Sequence, residues 1–178
     1  MSVIVVVRTD VGLHFAADSA LTDPDTGDTC AAHVGKLWQA DDYTVVGLAG
    51  DPRVGQLIRL NMQEELQELL DLDSGIVFAA NLATMLRYER VKRPDFELLI
   101  GHGERLFTLW SDYTVALSQT FYASIGSGAP YALGALFAVN DFGLSARDAT
   151  SLAVQASCKH HTECMRPVVH AATRALTV

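Results

Sequence analysis

The stretch from Met1 to Thr22 restricts the fold more than any other. Val3 to Val7 is a β-branched apolar run, Arg8-Thr9-Asp10-Val11-Gly12 is a polar turn, and Leu13 to Ala17 is a second apolar run. Two short runs joined by a glycine-containing turn read as a buried β-hairpin. The first strand starts almost at the N-terminus, so removal of Met1 would leave Ser2 carrying a free amine and a hydroxyl on one residue. A hydroxyl is a weak nucleophile at neutral pH, and an α-amino group of pKa about 7.7–8.0 is a base poised beside it. The plain alternative is that Ser2 is a small second residue whose only role is to permit Met removal.

The chain has 178 residues, 49% of them hydrophobic, enough for one domain over 1–178 with a substantial core. Its net charge of -8 argues against a general nucleic-acid or membrane-surface role, which needs clustered positive charge. The one basic cluster, Arg87, Arg90, Lys92 and Arg93, falls at an expected helix end, where cations complement the dipole. No run approaches the roughly 20 apolar residues of a membrane helix, and no basic segment precedes the first apolar run as in a signal peptide. Cys30, Cys158 and Cys164 are an odd set that suits a reducing cytoplasm better than a disulfide framework.

Beyond the hairpin, Asp23 to Asp28 is dense in turn formers, and short strands are expected at Cys30 to His33, Lys36 to Gln39 and Thr44 to Leu48. Asp51-Pro52 then has an N-cap followed by a first-turn proline, and Val54, Leu57, Ile58, Met62, Leu66 and Leu69 recur at helical spacing. This predicts one long helix to about Leu70. A second helix is expected to restart at Asp73-Ser74-Gly75 and to end at Pro94. An antiparallel meander should follow, with strands at Phe96 to Gly101, Leu106 to Trp110, Thr114 to Leu117 and Phe121 to Ile125. Gly126-Ser127-Gly128-Ala129-Pro130 introduces a third helix, Ser145-Ala146-Arg147-Asp148 resembles the start of a fourth, and Pro167 to Val178 can return to the sheet. Separate runs of strands and helices indicate α+β, with two packed sheets and a helix pair on each outer face.

Taken together, Ser2 with its apolar run, Ala17-Asp18-Ser19 with Thr22, Lys36, Gly47-Leu48-Ala49-Gly50-Asp51, Ile125 to Ala132 and Leu144 to Asp148 resemble the proteasome β-subunit family, and within it the bacterial HslV-type (ClpQ-like) ring peptidases. The matches keep order and spacing over about residues 2 to 156. The resemblance implies a four-layer αββα sandwich and an N-terminal nucleophile hydrolase of the threonine/serine type that cuts unfolded polypeptide. It implies Ser2 as nucleophile, Lys36 as the adjacent lysine, Asp18 as the aspartate that holds it, the Gly50 N–H as oxyanion donor and Ser127 beside the terminal amine. Thr22 and Leu48 carry over as substrate-binding positions, Leu48 at the base of a pocket for an apolar P1 side chain. The implied assembly is a homo-oligomeric ring, hexameric or heptameric and stacked, served by an ATP-dependent unfoldase. No cofactor or metal is expected, because the glycine and small residues that form a cation site in HslV-type enzymes are not recognisable in this sequence.

The sequence departs from the family in three places. Ser replaces the family's Thr and lacks the methyl that stiffens the side chain. Ala20 stands where a polar residue is common. Lys159-His160-His161-Thr162-Glu163-Cys164 replaces the Asp and Ser-Gly-Gly that support the terminal amine, and His160 or Glu163 is the candidate substitute. Cys158, His160, His161 and Cys164 match no standard zinc spacing. Gly126-Ser127-Gly128 can equally be a plain turn into a helix or an anion site, and no Gly-Lys-Ser/Thr follows to make it a nucleotide loop. The alternative that these departures open is a catalytically impaired ring or scaffold protein acting in assembly or partner docking.

Overall fold

A computed structural model describes residues 2–22, 26, 28–31 and 35–176, with Thr22 described in its backbone alone. Met1, most of the expected loop at 23–28 and the end of the expected strand at His33 lie outside the described residues. The hairpin forms as its pattern predicts, with β1 (Ile4–Thr9) antiparallel to β2 (Gly12–Ala17) and Ile4 opposite Ala17. β3 (Ala20–Thr22) and β4 (Thr29–Ala31) make a separate pair. The chain continues through β5 (Leu37–Gln39), β6 (Thr44–Gly50), helices α1 (Pro52–Asn61), α2 (Gln63–Gln67) and α3 (Leu72–Tyr88), then β7 (Phe96–His102), β8 (Arg105–Trp110), β9 (Val115–Ser118) and β10 (Tyr122–Ile125). Helices α4 (Ala129–Val139) and α5 (Ala146–His160) and strand β11 (Val169–Ala172) complete it.

One sheet has the order β10-β1-β2-β11 and the other β5-β6-β7-β8-β9, with antiparallel neighbours throughout. Three apolar layers separate four layers of backbone. Ile4, Val6, Leu13 and Phe15 meet Val45, Ala49, Leu99 and Leu106 between the sheets. Val46, Leu48, Leu98 and Ile100 meet Val54, Ile58, Phe78 and Leu82 under α1–α3. Val3, Val5 and Ala16 meet Ala132, Leu136, Ala153 and Val154 under α4 and α5. This is the αββα sandwich. It explains why β1 reads as a continuous apolar run, because both of its faces are covered.

Three local expectations are corrected. The helix after Asp51 does not run unbroken to Leu70 but stops at Asn61 and resumes at Gln63, with Met62 between them at φ -129, ψ 30. The break is stabilised locally: the Gln63 side-chain amide donates to the Arg59 carbonyl and that of Asn61 to the Leu57 carbonyl. It also leaves Met62, Leu66 and Leu69 all buried. α3 is capped by Asp71 rather than Asp73, in a box where Asp71 accepts from the Ser74 N–H and the Ser74 hydroxyl accepts from the Asp71 N–H. It ends at Tyr88, well before Pro94, where Arg90 turns to φ 56 and the Val91 N–H reaches back to the Leu86 carbonyl. Finally, β10 leaves the meander and crosses to the other sheet to pair with β1.

Three histidines are built into this frame. His102 on β7 bonds through Nδ1 with the Thr44 hydroxyl at 2.9 Å. His14 Nε2 and His170 Nδ1 face each other across β2 and β11 at 3.2 Å, and His170 Nε2 lies 3.2 Å from the Ser151 hydroxyl of α5. Burial lowers the pKa of all three, helped at His14 by His170 and Arg147 and at His170 by Arg147. The unfolded chain therefore takes up these protons first as the pH drops. The stability they confer is complete above the ordinary value of 6.5 and is lost as pH falls from there toward the lowered native values. Thermal unfolding should show the midpoint falling between about pH 7.5 and about pH 5.5. His102→Asn, which keeps a polar atom near Thr44 and removes the titration, should flatten part of that fall.

Candidate active site

Asp18 follows β2 and is 1% exposed, a carboxylate inside the protein. Such a group is tolerated only if its oxygens are satisfied. Oδ1 accepts from the Val3 N–H and from Lys36 Nζ, both at 2.9 Å. Oδ2 accepts from the Ala20 N–H at 3.0 Å and the Met165 N–H at 3.2 Å. Two donors on one oxygen put the Lys36 ammonium and the Val3 nitrogen less than twice 2.9 Å apart. Val3 N is bonded to the carbonyl carbon of Ser2, so the cation lies next to the Ser2–Val3 peptide.

Ser2 itself is buried, 3% exposed, and its carbonyl is held from the other side. The Gly128 N–H donates to it at 3.2 Å. Gly126, at φ 88, packs its α-carbon so closely that an added Cβ would lie 2.3 Å from the Ser2 oxygen. Between these two glycines, the Ser127 hydroxyl is buried with no hydrogen-bond partner among the described residues. An unmet buried hydroxyl costs about 1–3 kcal/mol. Gly50 closes β6 at φ 102 and is exposed, next to Ala49, whose methyl meets the same face of Gly126.

The structure thus brings Ser2, Asp18, Lys36 and Ser127 together, with Gly50 at the neighbouring strand end. Leu48 is placed differently. It lies on the α1 side of β6, 4% exposed, in the core with Trp38 and Val54. Thr22 ends β3 opposite Thr29 and contributes described backbone only.

The segment from Lys159 to Cys164 does not supply a substitute carboxylate to Ser2. His160 stacks on Tyr131 with centroids 5.9 Å apart, His161 meets the edge of the same ring, and Glu163 turns to His161. What the segment does provide is backbone: the turn after α5 delivers the Met165 N–H to Asp18. Three further residues carry the geometry, of which Ser19 was part of a sequence motif without a role of its own and the other two were not singled out by sequence. The Ser157 hydroxyl donates to the Gly128 carbonyl at 2.9 Å, the Ser19 hydroxyl donates to the Pro167 carbonyl at 2.7 Å, and Glu97 accepts from the Gly126 N–H at 2.6 Å. Glu97 had a signal in the sequence, an acid inside the apolar run Phe96-Glu97-Leu98-Leu99-Ile100.

Cys158 and Cys164 line a cavity of about 340 Å³ with Gln155, Lys159, Met165 and Arg166. Burial and the nearby Asp18 charge push both thiols up, Cys164 to about 12, so neither is a thiolate nucleophile near neutral pH. Among the described residues no three His, Cys, Asp or Glu side chains gather in a way that could hold a metal ion. Nor is any described helix long and apolar enough to cross a membrane.

No protein-family model matches the chain, and no curated protein matches it in sequence. Solved structures do match in fold. HslV from Trypanosoma brucei superposes with a TM-score of 0.81 at 17% identity, over 97% of this chain and 99% of that one. BPH from Thiobacillus denitrificans, solved in complex with epoxomicin, gives 0.79 at 21% identity, over 98% and 100%. Anbu from Yersinia bercovieri, described as an ancestral β-subunit, gives 0.72 at 19% identity, over 97% and 81%. The chain has the fold of these proteins, as the resemblance in its motifs implies.

The network around Asp18 gives two expected outcomes in urea unfolding. Asp18→Asn removes the carboxylate charge that Lys36 pairs with and should cost about 3 kcal/mol, whereas Lys36→Met leaves Asp18 three backbone donors and should cost less. Gly126→Ala, which forces a side chain at positive φ against the Ser2 carbonyl, should cost at least about 2 kcal/mol.

Proposed function

We propose that this chain is an N-terminal nucleophile endopeptidase, with Ser2 as the nucleophile once Met1 is removed, acting on unfolded polypeptide inside a homo-oligomeric ring. The observation that carries the reading is the shared oxygen of Asp18, which fixes the Lys36 ammonium and the backbone of Ser2 in one geometry. A structural ion pair alone has no need of a terminal serine as its neighbour. The unpartnered Ser127 hydroxyl supports the same reading, since a freed Ser2 amine is a partner that it lacks among the described residues.

The chemistry follows from these positions. The Ser2 amine takes the proton of its own hydroxyl, directly or through water, and Oγ attacks the peptide carbonyl to give a tetrahedral oxyanion. The Lys36 charge favours the neutral amine and stabilises the forming alkoxide. The Gly50 N–H is the proposed donor to the oxyanion, and loss of such a donor costs about 10²- to 10³-fold. Collapse passes the proton to the leaving amine and leaves an ester on Ser2, which water hydrolyses by the same base. An apolar P1 preference belongs to the same reading, with the buried Leu48 forming the base of the pocket beneath the junction of β6 and α1.

The ring is supported by apolar side chains left open on the helices and the turn between α4 and α5: Leu60, Tyr88, Phe137 and Phe142 are each at least 75% exposed. A ring that encloses the site would call for an ATP-dependent unfoldase to feed it folded substrates.

Intact mass before and after incubation with a peptide epoxyketone tests the reading, because that warhead closes a ring onto an amine and a hydroxyl of the same residue. The expected spectrum has lost Met1 and carries one adduct, which disappears in Ser2→Ala. Retained Met1, or a free Ser2 that never forms the adduct, would establish instead the non-catalytic scaffold suggested by the altered segment from Lys159 to Cys164.

A further inference from the structure

We infer that Glu97 is a positioning residue for the Ser2 site, acting through the Gly126 to Gly128 turn; this rests on the peptidase reading above and adds to it a residue from the opposite sheet. Glu97 is the only acidic residue of β7. Its register neighbours are Ala49 on β6 and Trp110 on β8. Ala49 and Leu99 both belong to the apolar layer between the sheets, so alternation along β7 turns Glu97 into that same layer. Glu97 is half-buried at the margin of that layer, so its carboxylate gives up part of its hydration, which a leucine would not have to do. Its retention in that layer calls for a specific partner.

The partner is one backbone amide. Register between β10 and β1 runs as far as Ile125 opposite Ile4. Gly126, the next residue, has its N–H directed to Glu97 Oε2 at 2.6 Å, a charge-assisted bond that spans the two sheets. Gly126 is also the residue whose α-carbon lies against the Ser2 carbonyl, and two residues later the Gly128 N–H donates to that carbonyl. The turn therefore has one anchor at each end. Ser157 of α5 holds the Gly128 carbonyl, and Glu97 of β7 holds the Gly126 amide. Between the anchors sits Ser127, with its hydroxyl buried and without a hydrogen-bond partner among the described residues.

A neutral acceptor would satisfy the amide equally well. A carboxylate adds a negative charge within a short chain of contacts from the Ser2 amine, of opposite sign to Lys36. Lys36 favours the neutral, proton-accepting amine, while a carboxylate favours the protonated one. Glu97 thus both sets where Ser2 sits and opposes part of the Lys36 effect on its basicity. These two roles separate on substitution. Gln keeps the acceptor and removes the charge, and Leu removes both at similar volume.

The experiment follows epoxyketone adduct formation by intact mass on the full-length protein, as a function of inhibitor concentration and pH, for wild type, Glu97→Gln and Glu97→Leu. Hydrogen exchange of the peptide covering Gly126 to Gly128 is measured on the same samples. Glu97→Leu should lower the saturating adduct rate by about 10- to 100-fold while the half-saturating concentration stays within about 2-fold, and the turn should lose exchange protection. Glu97→Gln should restore most of the rate and the protection, and should move the acid limb of its pH profile to lower pH. A wild type that labels, with Glu97→Leu labelling equally fast and the turn equally protected, overturns the inference. An acid limb unmoved in Glu97→Gln overturns the charge role. A wild type that never labels instead defeats the peptidase reading, and exchange in Glu97→Leu then decides alone whether Glu97 holds the turn, unchanged protection overturning that too.

Discussion

The carboxylate of Asp18 is the interaction on which the rest of the structure turns. Its four hydrogen bonds come from four separate places in the chain: the residue after Ser2, the start of β3, Lys36 before β5 and Met165 beyond α5. None of these segments has a strong reason of its own to stop where it does. A buried charge left with fewer donors would cost several kcal/mol, so each segment is held to its place by the same requirement. The β-sandwich supplies the apolar layers, and Asp18 supplies the register of the pieces around one end of them.

Ser2 is correspondingly over-determined. The Ser2–Val3 peptide group is held at both ends, its N–H by Asp18 and its carbonyl by Gly128, with Gly126 pressed against the same carbonyl. Groups that must react in one geometry benefit from this kind of redundancy, because correct placement is set during folding rather than at the moment of reaction. The likeness to HslV and BPH shows the fold, and the placement of these side chains is what connects the fold to the proposed chemistry.

Much of this was legible in the sequence, for physical reasons that differ by element. The β1–β2 hairpin was visible because a β-branched run covered on both faces has a composition that few other structures tolerate. Asp51-Pro52 marked the start of α1 because both residues act locally on the first turn. Ser2, Asp18, Lys36, Gly50 and Ser127 entered through motif resemblance, and their meeting, a long-range fact, needed coordinates. The break at Met62 was hidden because helical spacing continues through it, while the capping amides of Asn61 and Gln63 read as ordinary surface residues. The end of α3 was misplaced because Pro94 is a strong signal and Arg90 at positive φ is a weak one. The departure of β10 from the meander and the N–H of Met165 at Asp18 are both invisible to local pattern, since a strand does not announce its partner and a backbone donor has no side chain to mark it.

The pairing of β11 with β2, together with the Met165 contact, joins a late segment of the chain to its beginning. Ser19, next to Asp18, is tied to the same segment through the Met165 and Pro167 carbonyls. During synthesis the first hairpin emerges long before residues 165–172 exist. A nascent chain can therefore form β1 and β2 while Asp18 still lacks its fourth donor and β2 still has an open edge. The order of translation itself keeps the surroundings of Ser2 unassembled until residues 165–172 have been made.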